Sequence, residues 1–190
     1  IPIGEIYSKK DREEFWVPPS PNIPTISTCF VYTGQCLLEG TNLSEGRGTT
    51  KPFEIFGAPY LNTSNQNFLN ELTAHQSEHF YLRPLLFIPT FHKHKEKVCG
   101  GFQIFIQNRK KFHSLLFTLH FLKTVSKFHP VDFSYLKGIY EFRSDKSAIE
   151  LLAGDDFILD FLSEKVSYKN LKEYLSHNEN IWQKKIKQYF

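Results

Sequence analysis

The sequence predicts an α/β protein of the α+β kind, in which a mixed sheet is flanked by helices. Phe102, Ile104 and Ile106 alternate with other residues, as they would on one face of a strand. Leucines recur at helical spacing between Phe112 and Phe128. The chain is 41% hydrophobic and 23% charged, which is enough apolar material for a packed core. These observations predict a folded protein and exclude a disordered one.

Composition also excludes several classes of function. The net charge of +3 is too mild to require a nucleic-acid partner. Apolar runs stay well short of the roughly 20 residues that span a bilayer, so we expect no membrane span. Three cysteines are too few for a disulfide framework. Because the sequence begins at Ile1 and holds no Met, we expect a processed or excised piece of a longer protein.

The first 40 residues predict short elements around a proline-rich entry. Ile1–Ile6 could form a strand, and the prolines between residues 16 and 24 exclude helix there. Thr25 can cap a helix that runs to about Tyr32 and ends at Gly34. Residues Cys36–Glu39 are typical of a short buried strand.

The pattern changes near residue 55, where we place a domain boundary. Residues 1–54 are interpreted as the end of one domain and residues 55–190 as a complete α+β unit. Its predicted elements are a strand at Phe53–Phe56, a helix at Asn62–Ala74, strands at Phe80–Phe91 and Gly101–Gln107, a helix at Phe112–Phe128, and several short helices from Asp145 onward.

A glycine-rich polar loop is the densest candidate for a functional site. It runs from Gly40 to Pro52 and directly follows the carboxylate of Glu39. Proteins of the α/β class often place ligands where a polar loop follows a buried strand. The spacing fits neither a Walker loop nor a dinucleotide fingerprint. The alternative is a surface loop in which Glu39 and Arg47 pair and hydroxyl groups cap turns.

Two other patterns could indicate a catalytic centre. His92, His94 and Cys99 superficially resemble half of a metal site, but no fourth ligand follows and the lysines between them repel a cation. A metal-dependent enzyme is therefore an unfavoured reading. No Gly-x-Ser-x-Gly elbow supports a serine hydrolase.

A series of motifs covers most of residues 16–107: Trp16–Thr25, Tyr32–Phe53, Gly57–Pro59, Phe87–Phe91, Lys93 and Cys99–Gly101. In their order, and in their glycines and prolines, these motifs resemble the NamZ-like peptidoglycan exo-β-N-acetylmuramidase family.

The resemblance implies a Rossmann-like catalytic domain followed by an α/β auxiliary domain. Residues 1–54 would then be the last segment of the Rossmann-like domain, and residues 55–190 the auxiliary domain. The family's Pro-Glu-His-Gly segment, which would supply the general acid, does not occur in this sequence. We therefore expect the chain to be inactive alone, and its parent to remove N-acetylmuramic acid (MurNAc) from the non-reducing ends of peptidoglycan fragments.

The resemblance also gives trial roles to the residues of the loop. Glu39 is the candidate catalytic carboxylate, since glycoside hydrolysis usually needs a proton donor and a second carboxylate. A planar guanidinium suits the lactyl carboxylate of MurNAc. The expected substrate-binding residues are Asn42, Ser44, Arg47 and Thr49, and the loop-shaping residues are Gly40, Gly46 and Gly48.

Alternatives stay open beside this assignment. Arg47 and Glu39 could instead pair to join two domains. The chain could be a non-catalytic module that binds peptidoglycan or another carbohydrate through exposed aromatic rings. The resemblance implies no cofactor and no metal. The expected partners are MurNAc-containing saccharides and the upstream Rossmann-like domain, and the expected location is periplasmic or secreted, with the cytoplasm as the alternative.

Overall fold

The computed structural model describes residues 16–189 and contains six α-helices around a small sheet. The predicted strand at Ile1–Ile6 lies outside the described residues. In chain order the elements are α1 (Ile26–Gln35), a 3-10 helix (Cys36–Gly40), β1 (Ile55–Ala58), α2 (Gln66–Leu72), β2 (Phe80–Phe87), β3 (Cys99–Ile106), α3 (Ser114–Phe128), α4 (Ala148–Ala153), α5 (Asp156–Leu162) and α6 (Tyr168–Ile186).

The sheet has three strands in the order β1-β3-β2. Both pairings are antiparallel, so the α+β fold class is confirmed while this sheet is antiparallel rather than mixed. Gly57 pairs with Gly101, and a side chain on either residue would collide with the neighbouring strand. These glycines let β1 and β3 approach closely.

Helix α3 lies at the centre of the core. Ten of its residues are buried, among them Leu119, Phe121 and Leu122. Helix α1 packs on the first turn of α3. There Gly34 lies so close that an added Cβ would be 2.3 Å from the carbonyl oxygen of Ser114. Residues on both sides of position 55 contribute to this one core. Leu38 and Phe53 precede that position, and the buried residues of α3 follow it. The boundary near residue 55 stays a prediction.

Three predicted elements differ in the structure. Cys36–Gly40 is a 3-10 helix and not a strand, because α1 continues directly into it and both Leu37 and Leu38 are buried. The first sheet strand begins at Ile55, since Phe53 adopts a left-handed backbone with φ of 64°. The tail, predicted as several short helices, includes one helix of 19 residues, α6.

The other predictions are close. Thr25 caps α1 as expected, although the helix runs past Gly34 to Gln35. The helix predicted over Asn62–Ala74 spans Gln66–Leu72, because the Asn65 side chain caps it. No helix of the described residues is long and apolar enough to cross a membrane.

Candidate functional site

The glycine loop, defined here as residues 40–53, is bound tightly to the sheet and to the loop between β2 and β3. Ser44 exchanges two backbone hydrogen bonds with Gly57 of β1. Thr90 donates to the carbonyl of Gly48 through both its backbone N–H and its hydroxyl. A Cβ on Gly48 would lie 2.7 Å from the nitrogens of Thr90 and Phe91. Gly48 therefore lets the loop approach the backbone of Thr90 and Phe91 closely. The loop-shaping role of Gly40, Gly46 and Gly48 stays a prediction.

Glu45, which the sequence analysis did not select, lies at the centre of this site. Its side chain is fully buried. Three basic groups surround the carboxylate: Arg47 Nε at 3.1 Å, His92 Nδ1 at 3.2 Å and Lys93 Nζ at 3.0 Å. A buried carboxylate is stable only with such partners. Glu45 is thus the anchor of the site's charges.

Lys93 joins the β2–β3 loop to the 3-10 helix. Besides Glu45, its ammonium group donates to the carbonyl of Leu38 at 2.8 Å and to that of Glu39 at 3.3 Å. Burial lowers the pKa of Lys93, and the neighbouring Glu45 partly offsets this effect. Three oxygens thus surround an ammonium group that has three N–H donors.

Glu39 and Arg47 form the more accessible edge of the site. Arg47 Nη2 donates to Glu39 Oε1 at 2.9 Å, so one guanidinium bridges Glu39 and Glu45. Burial acts to lower the pKa of Arg47, but the two carboxylates outweigh it and raise the pKa. Tyr140 donates to Glu39 Oε2 at 3.3 Å. The side chain of Glu39 is 20% exposed, whereas that of Glu45 is inaccessible.

Asn42 connects the loop to the segment that follows α3. Its side-chain amide donates to the carbonyl of Asp132 at 2.7 Å, and its amide oxygen accepts from Tyr60 and from the backbone of Ser134. The backbone carbonyl of Asn42 receives His94 Nε2 at 2.6 Å. These contacts use most of the hydrogen-bonding capacity that the sequence analysis assigned to a sugar.

Ser44 and Thr49 make hydrogen bonds within the loop. Ser44 Oγ accepts from the backbone of Gly46 at 3.1 Å, and Ser44 is almost fully buried. Thr49 Oγ1 donates to the carbonyl of Gly46 at 2.6 Å and accepts from the backbone of Lys51. Both hydroxyl groups therefore support turns, which is the alternative role that such residues have in long loops.

The three residues that resemble half of a metal site have other contacts in the structure. His92 faces Glu45, His94 contacts the Asn42 carbonyl, and Cys99 is buried beside Ile55 and Phe87. Burial raises the pKa of Cys99 to about 11. Across residues 16–189, no group of three or more His, Cys, Asp or Glu side chains is placed to hold a metal ion.

The site thus combines two carboxylates, one guanidinium and one buried ammonium group. Sequence reasoning found Glu39, Arg47 and the glycines because they stand close together in the sequence. It missed Glu45, whose partners His92 and Lys93 come from the distant loop between β2 and β3. It also missed Tyr140, which lies about 100 residues from its partner Glu39. The signal available in the sequence was the basic stretch at residues 92–97, since a buried carboxylate needs such partners.

Two crystal structures share this fold. They are DUF1343 family proteins from Bacteroides fragilis NCTC 9343, with TM-scores of 0.70 and 0.57 at 20% and 22% sequence identity. The matches cover 92% and 91% of this chain but 44% and 43% of those chains. The fold is thus that of one part of a larger kind of protein.

The sequence identifies the family. Residues 30–190 match the family model described as exo-beta-N-acetylmuramidase NamZ, C-terminal. The chain is also 38% identical over 157 residues to the peptidoglycan beta-N-acetylmuramidase NamZ of Bacillus subtilis (strain 168), a match that covers 82% of this chain and 35% of that protein. This chain belongs to the NamZ C-terminal family, which confirms the resemblance seen in the motifs. It spans about a third of the length of the curated relative.

Proposed function

We propose that this chain is part of a peptidoglycan exo-β-N-acetylmuramidase, which hydrolyses MurNAc from the non-reducing ends of cell-wall fragments. The observation that carries the proposal is the family membership, together with 38% identity to a peptidoglycan beta-N-acetylmuramidase. The comparisons give no support to a purely non-catalytic binding module. The upstream partner in the proposal is a Rossmann-like domain of the same polypeptide.

The geometry of the loop supports a division of roles between the two carboxylates. Glu39 is partly exposed and bound by Arg47 and Tyr140, so it can reach a ligand. Glu45 is inaccessible to a ligand, and its carboxylate fixes Arg47 through the contact with Nε. In the proposal, Glu39 lies beside the sugar ring and Arg47 binds the lactyl carboxylate of MurNAc through its remaining donors. Asn42, Ser44 and Thr49 shape the pocket by holding the loop.

The hydrolysis needs a proton on the departing glycosidic oxygen and negative charge near the oxocarbenium-like centre. Glu39 can supply the negative charge. The proposal places the acid that protonates the leaving oxygen outside this chain. The bond between the anomeric carbon and the glycosidic oxygen breaks, and water supplies the new hydroxyl group on MurNAc. Because peptidoglycan lies outside the cytoplasm, we also propose a periplasmic or secreted parent.

The test is release of free MurNAc from a MurNAc–GlcNAc disaccharide (GlcNAc, N-acetylglucosamine). The full-length parent should release it, whereas the 190-residue chain alone should not. In the parent, Arg47→Ala should raise KM for the disaccharide about 10-fold or more, because a charge-assisted bidentate contact is lost. Arg83→Ala, which removes an exposed arginine on β2, is the matched control and should leave KM unchanged.

Two results would contradict the proposal. No MurNAc release by the parent would remove the assigned reaction. Release by the 190-residue chain alone would place the proton donor within this chain. An unchanged KM in Arg47→Ala would reject only the role of Arg47 in recognition, leaving it as a structural link between Glu39 and Glu45.

A further inference from the structure

The ring of Phe53 is held rigidly at the end of the glycine loop. Phe53 is fully buried, and its backbone N–H donates to the carbonyl of Glu45 at 2.6 Å. Its φ of 64° lies in the left-handed region, which a bulky side chain rarely adopts. Such a conformation persists only where the surrounding structure fixes it, and it is common at functional sites. The loop therefore determines where this ring lies.

Two polar side chains of the site pack on the Phe53 ring. The guanidinium carbon of Arg47 lies over it, 5.6 Å from the ring centroid. The ring of Tyr32, a residue of α1, meets Phe53 edge-on, with ring centroids 4.9 Å apart and an interplanar angle of 88°. Tyr32 is 36% exposed. Phe53 thus supports both a guanidinium group and a partly exposed phenol.

The phenol of Tyr32 lies within electrostatic range of the charges of the site. Burial raises the pKa of Tyr32 above 10.0, Cys36 and Glu39 raise it further, and Arg47 acts to lower it. The phenol in turn contributes to the raised pKa of Arg47. Because the pKa of Tyr32 is raised, its hydroxyl group stays protonated at neutral pH and remains a hydrogen-bond donor.

The hydroxyl group of Tyr32 differs from those of the other tyrosines at the site. Tyr60 donates to Asn42 at 2.8 Å, and Tyr140 donates to Glu39 at 3.3 Å, so both hydroxyl groups hold the site together. The hydroxyl group of Tyr32 makes no hydrogen bond within the part of the chain that the structure describes. It is therefore free to donate to a ligand.

The charges around Arg47 call for a neutral donor beside it. Arg47 already faces two carboxylates, Glu45 through Nε and Glu39 through Nη2. A ligand carboxylate that binds the remaining donors of Arg47 would therefore also be repelled by Glu39. A neutral O–H group next to the guanidinium adds a hydrogen bond to that carboxylate and leaves the charge of the site unchanged.

We propose that Tyr32 is a binding residue of the site, whose hydroxyl group donates to the lactyl carboxylate of MurNAc beside Arg47. This inference rests on the proposed function, since it takes MurNAc as the ligand. Arg47 supplies the positive charge and Tyr32 supplies a second, neutral donor. Phe53, which both side chains contact, fixes their separation. The pair distinguishes MurNAc from GlcNAc, which has no lactyl group.

The kinetic experiment uses the full-length parent carrying Tyr32→Phe, with the MurNAc–GlcNAc disaccharide as substrate. The substitution removes the hydroxyl group and keeps the ring that contacts Phe53. KM should rise about 10-fold, because a hydrogen bond to a charged group is lost, while kcat and thermal stability keep their wild-type values. Tyr81→Phe, at an exposed tyrosine on β2, is the matched control and should leave KM unchanged.

Binding of free sugars identifies the group that Tyr32 contacts. Ligand-observed NMR of the parent measures Kd for MurNAc and for GlcNAc. Tyr32→Phe should weaken the binding of MurNAc about 10-fold and leave that of GlcNAc unchanged. Equal weakening for the two sugars would overturn the inference, because the hydroxyl group would then contact a part that both sugars share. An unchanged Kd for MurNAc would also overturn it.

The two measurements separate failure of this inference from failure of the proposed function. If the parent releases no MurNAc, the proposed reaction fails, yet weaker MurNAc binding in Tyr32→Phe still supports the contact. If the parent is active and KM is unchanged in Tyr32→Phe, the inference is overturned and the reaction stands. A fall in the thermal stability of Tyr32→Phe overturns it too, because the hydroxyl group would then bind the rest of the longer polypeptide.

Discussion

At the scale of single residues, the site depends on a carboxylate that no ligand can reach. Glu45 is fully buried, yet it contacts Arg47, His92 and Lys93, which come from two separate loops. Glu39, the residue that the loop motif suggests for chemistry, receives its guanidinium partner already positioned by Glu45. The inaccessible carboxylate therefore orients the accessible one.

Replacement of Glu45 should be costly for stability. Glu45→Gln removes the countercharge from a largely buried Lys93 and from Arg47. We expect the free energy of unfolding to fall by about 2–4 kcal/mol, since breaking one side of a buried ion pair leaves uncompensated charge. Urea denaturation of the 190-residue chain, as wild type and as Glu45→Gln, measures this difference in the free energy of unfolding.

The control for this change is Glu173→Gln. Glu173 lies on the exposed face of α6 and faces Lys169 at 4.0 Å. An exposed pair of this kind contributes at most about 0.5 kcal/mol. Equal effects of the two substitutions would mean that Glu45 is solvated and does not anchor the site.

The difference between Glu39 and Glu45 shows where sequence reasoning ended. The two glutamates are six positions apart, one at the end of the 3-10 helix and one in the glycine loop, and tertiary contacts give them their different exposure. The β2–β3 loop brings Lys93 onto Glu45, and the segment after α3 brings Tyr140 onto Glu39. Such long-range placements have no local signal, whereas the turn chemistry of Gly46 and Gly48 is local and was predictable.

At the scale of elements, the contact between α1 and α3 depends on Gly34. We predicted this glycine as a helix end, but it lies inside α1 and against the first residue of α3. Its backbone N–H donates to Ser114 Oγ at 3.1 Å, and Ser114 Oγ donates to the carbonyl of Val31. The glycine serves close packing, not helix termination.

Gly34→Ala should therefore destabilise the protein, although alanine usually favours a helix interior by about 1 kcal/mol. The added Cβ would lie 2.3 Å from the carbonyl oxygen of Ser114. We expect a loss of about 2–3 kcal/mol from this overlap. Thermal denaturation of the 190-residue chain measures this loss. Thr33→Ala, at the neighbouring exposed position, is the control and should be neutral or slightly stabilising in the same measurement. A stabilised Gly34→Ala would contradict the close approach.

A second element-level feature is the histidine cluster between α2, α3 and α6. His75 stacks on Tyr168 with ring centroids 3.6 Å apart, and His120 contacts both rings edge-on. His120 Nε2 also donates to the carbonyl of Glu71 at 2.8 Å. Burial lowers the pKa of both histidines from 6.5, and Lys172 lowers that of His75 further.

This cluster predicts a loss of stability in acid. Because the folded pKa values are lowered, the unfolded chain binds more protons below pH 6.5. The stabilisation is present above that pH and is lost as pH falls through the folded pKa values. Unfolding free energies at pH 7.5 and 5.5 should differ less in His120→Gln than in the wild type. An identical pH dependence in the two proteins would contradict a role for His120.

At the scale of the whole molecule, one core joins the glycine loop to the rest of the chain. Leu37, Leu38, Leu43 and Phe53 are almost completely buried in the same cluster as α3 and α6. The strongest sequence patterns, those of β3 and α3, gave the fold class correctly. The sheet order and the packing of the loop could not be read from periodicity, because they depend on contacts between distant segments.

A chain of residues 55–190 should fail to fold alone. Each large side chain lost from the core costs about 2–5 kcal/mol, and four of them exceed the stability of a typical small domain. Circular dichroism and NMR dispersion measure the outcome. A chain of residues 16–190 is the control, since it keeps the contacts described above. Cooperative unfolding of residues 55–190 would instead support the predicted domain boundary.

The three contacts of Lys93 have a further consequence, for covalent labelling. An amine-reactive reagent needs a free, accessible nitrogen lone pair, and the buried Lys93 group is held by three oxygens. Its neighbour Lys95 is 57% exposed at the side chain, so it reacts as an internal reference in the same peptide. The ratio of labelling at the two lysines reports opening of the β2–β3 loop. The measurement needs neither substrate nor an engineered reporter residue.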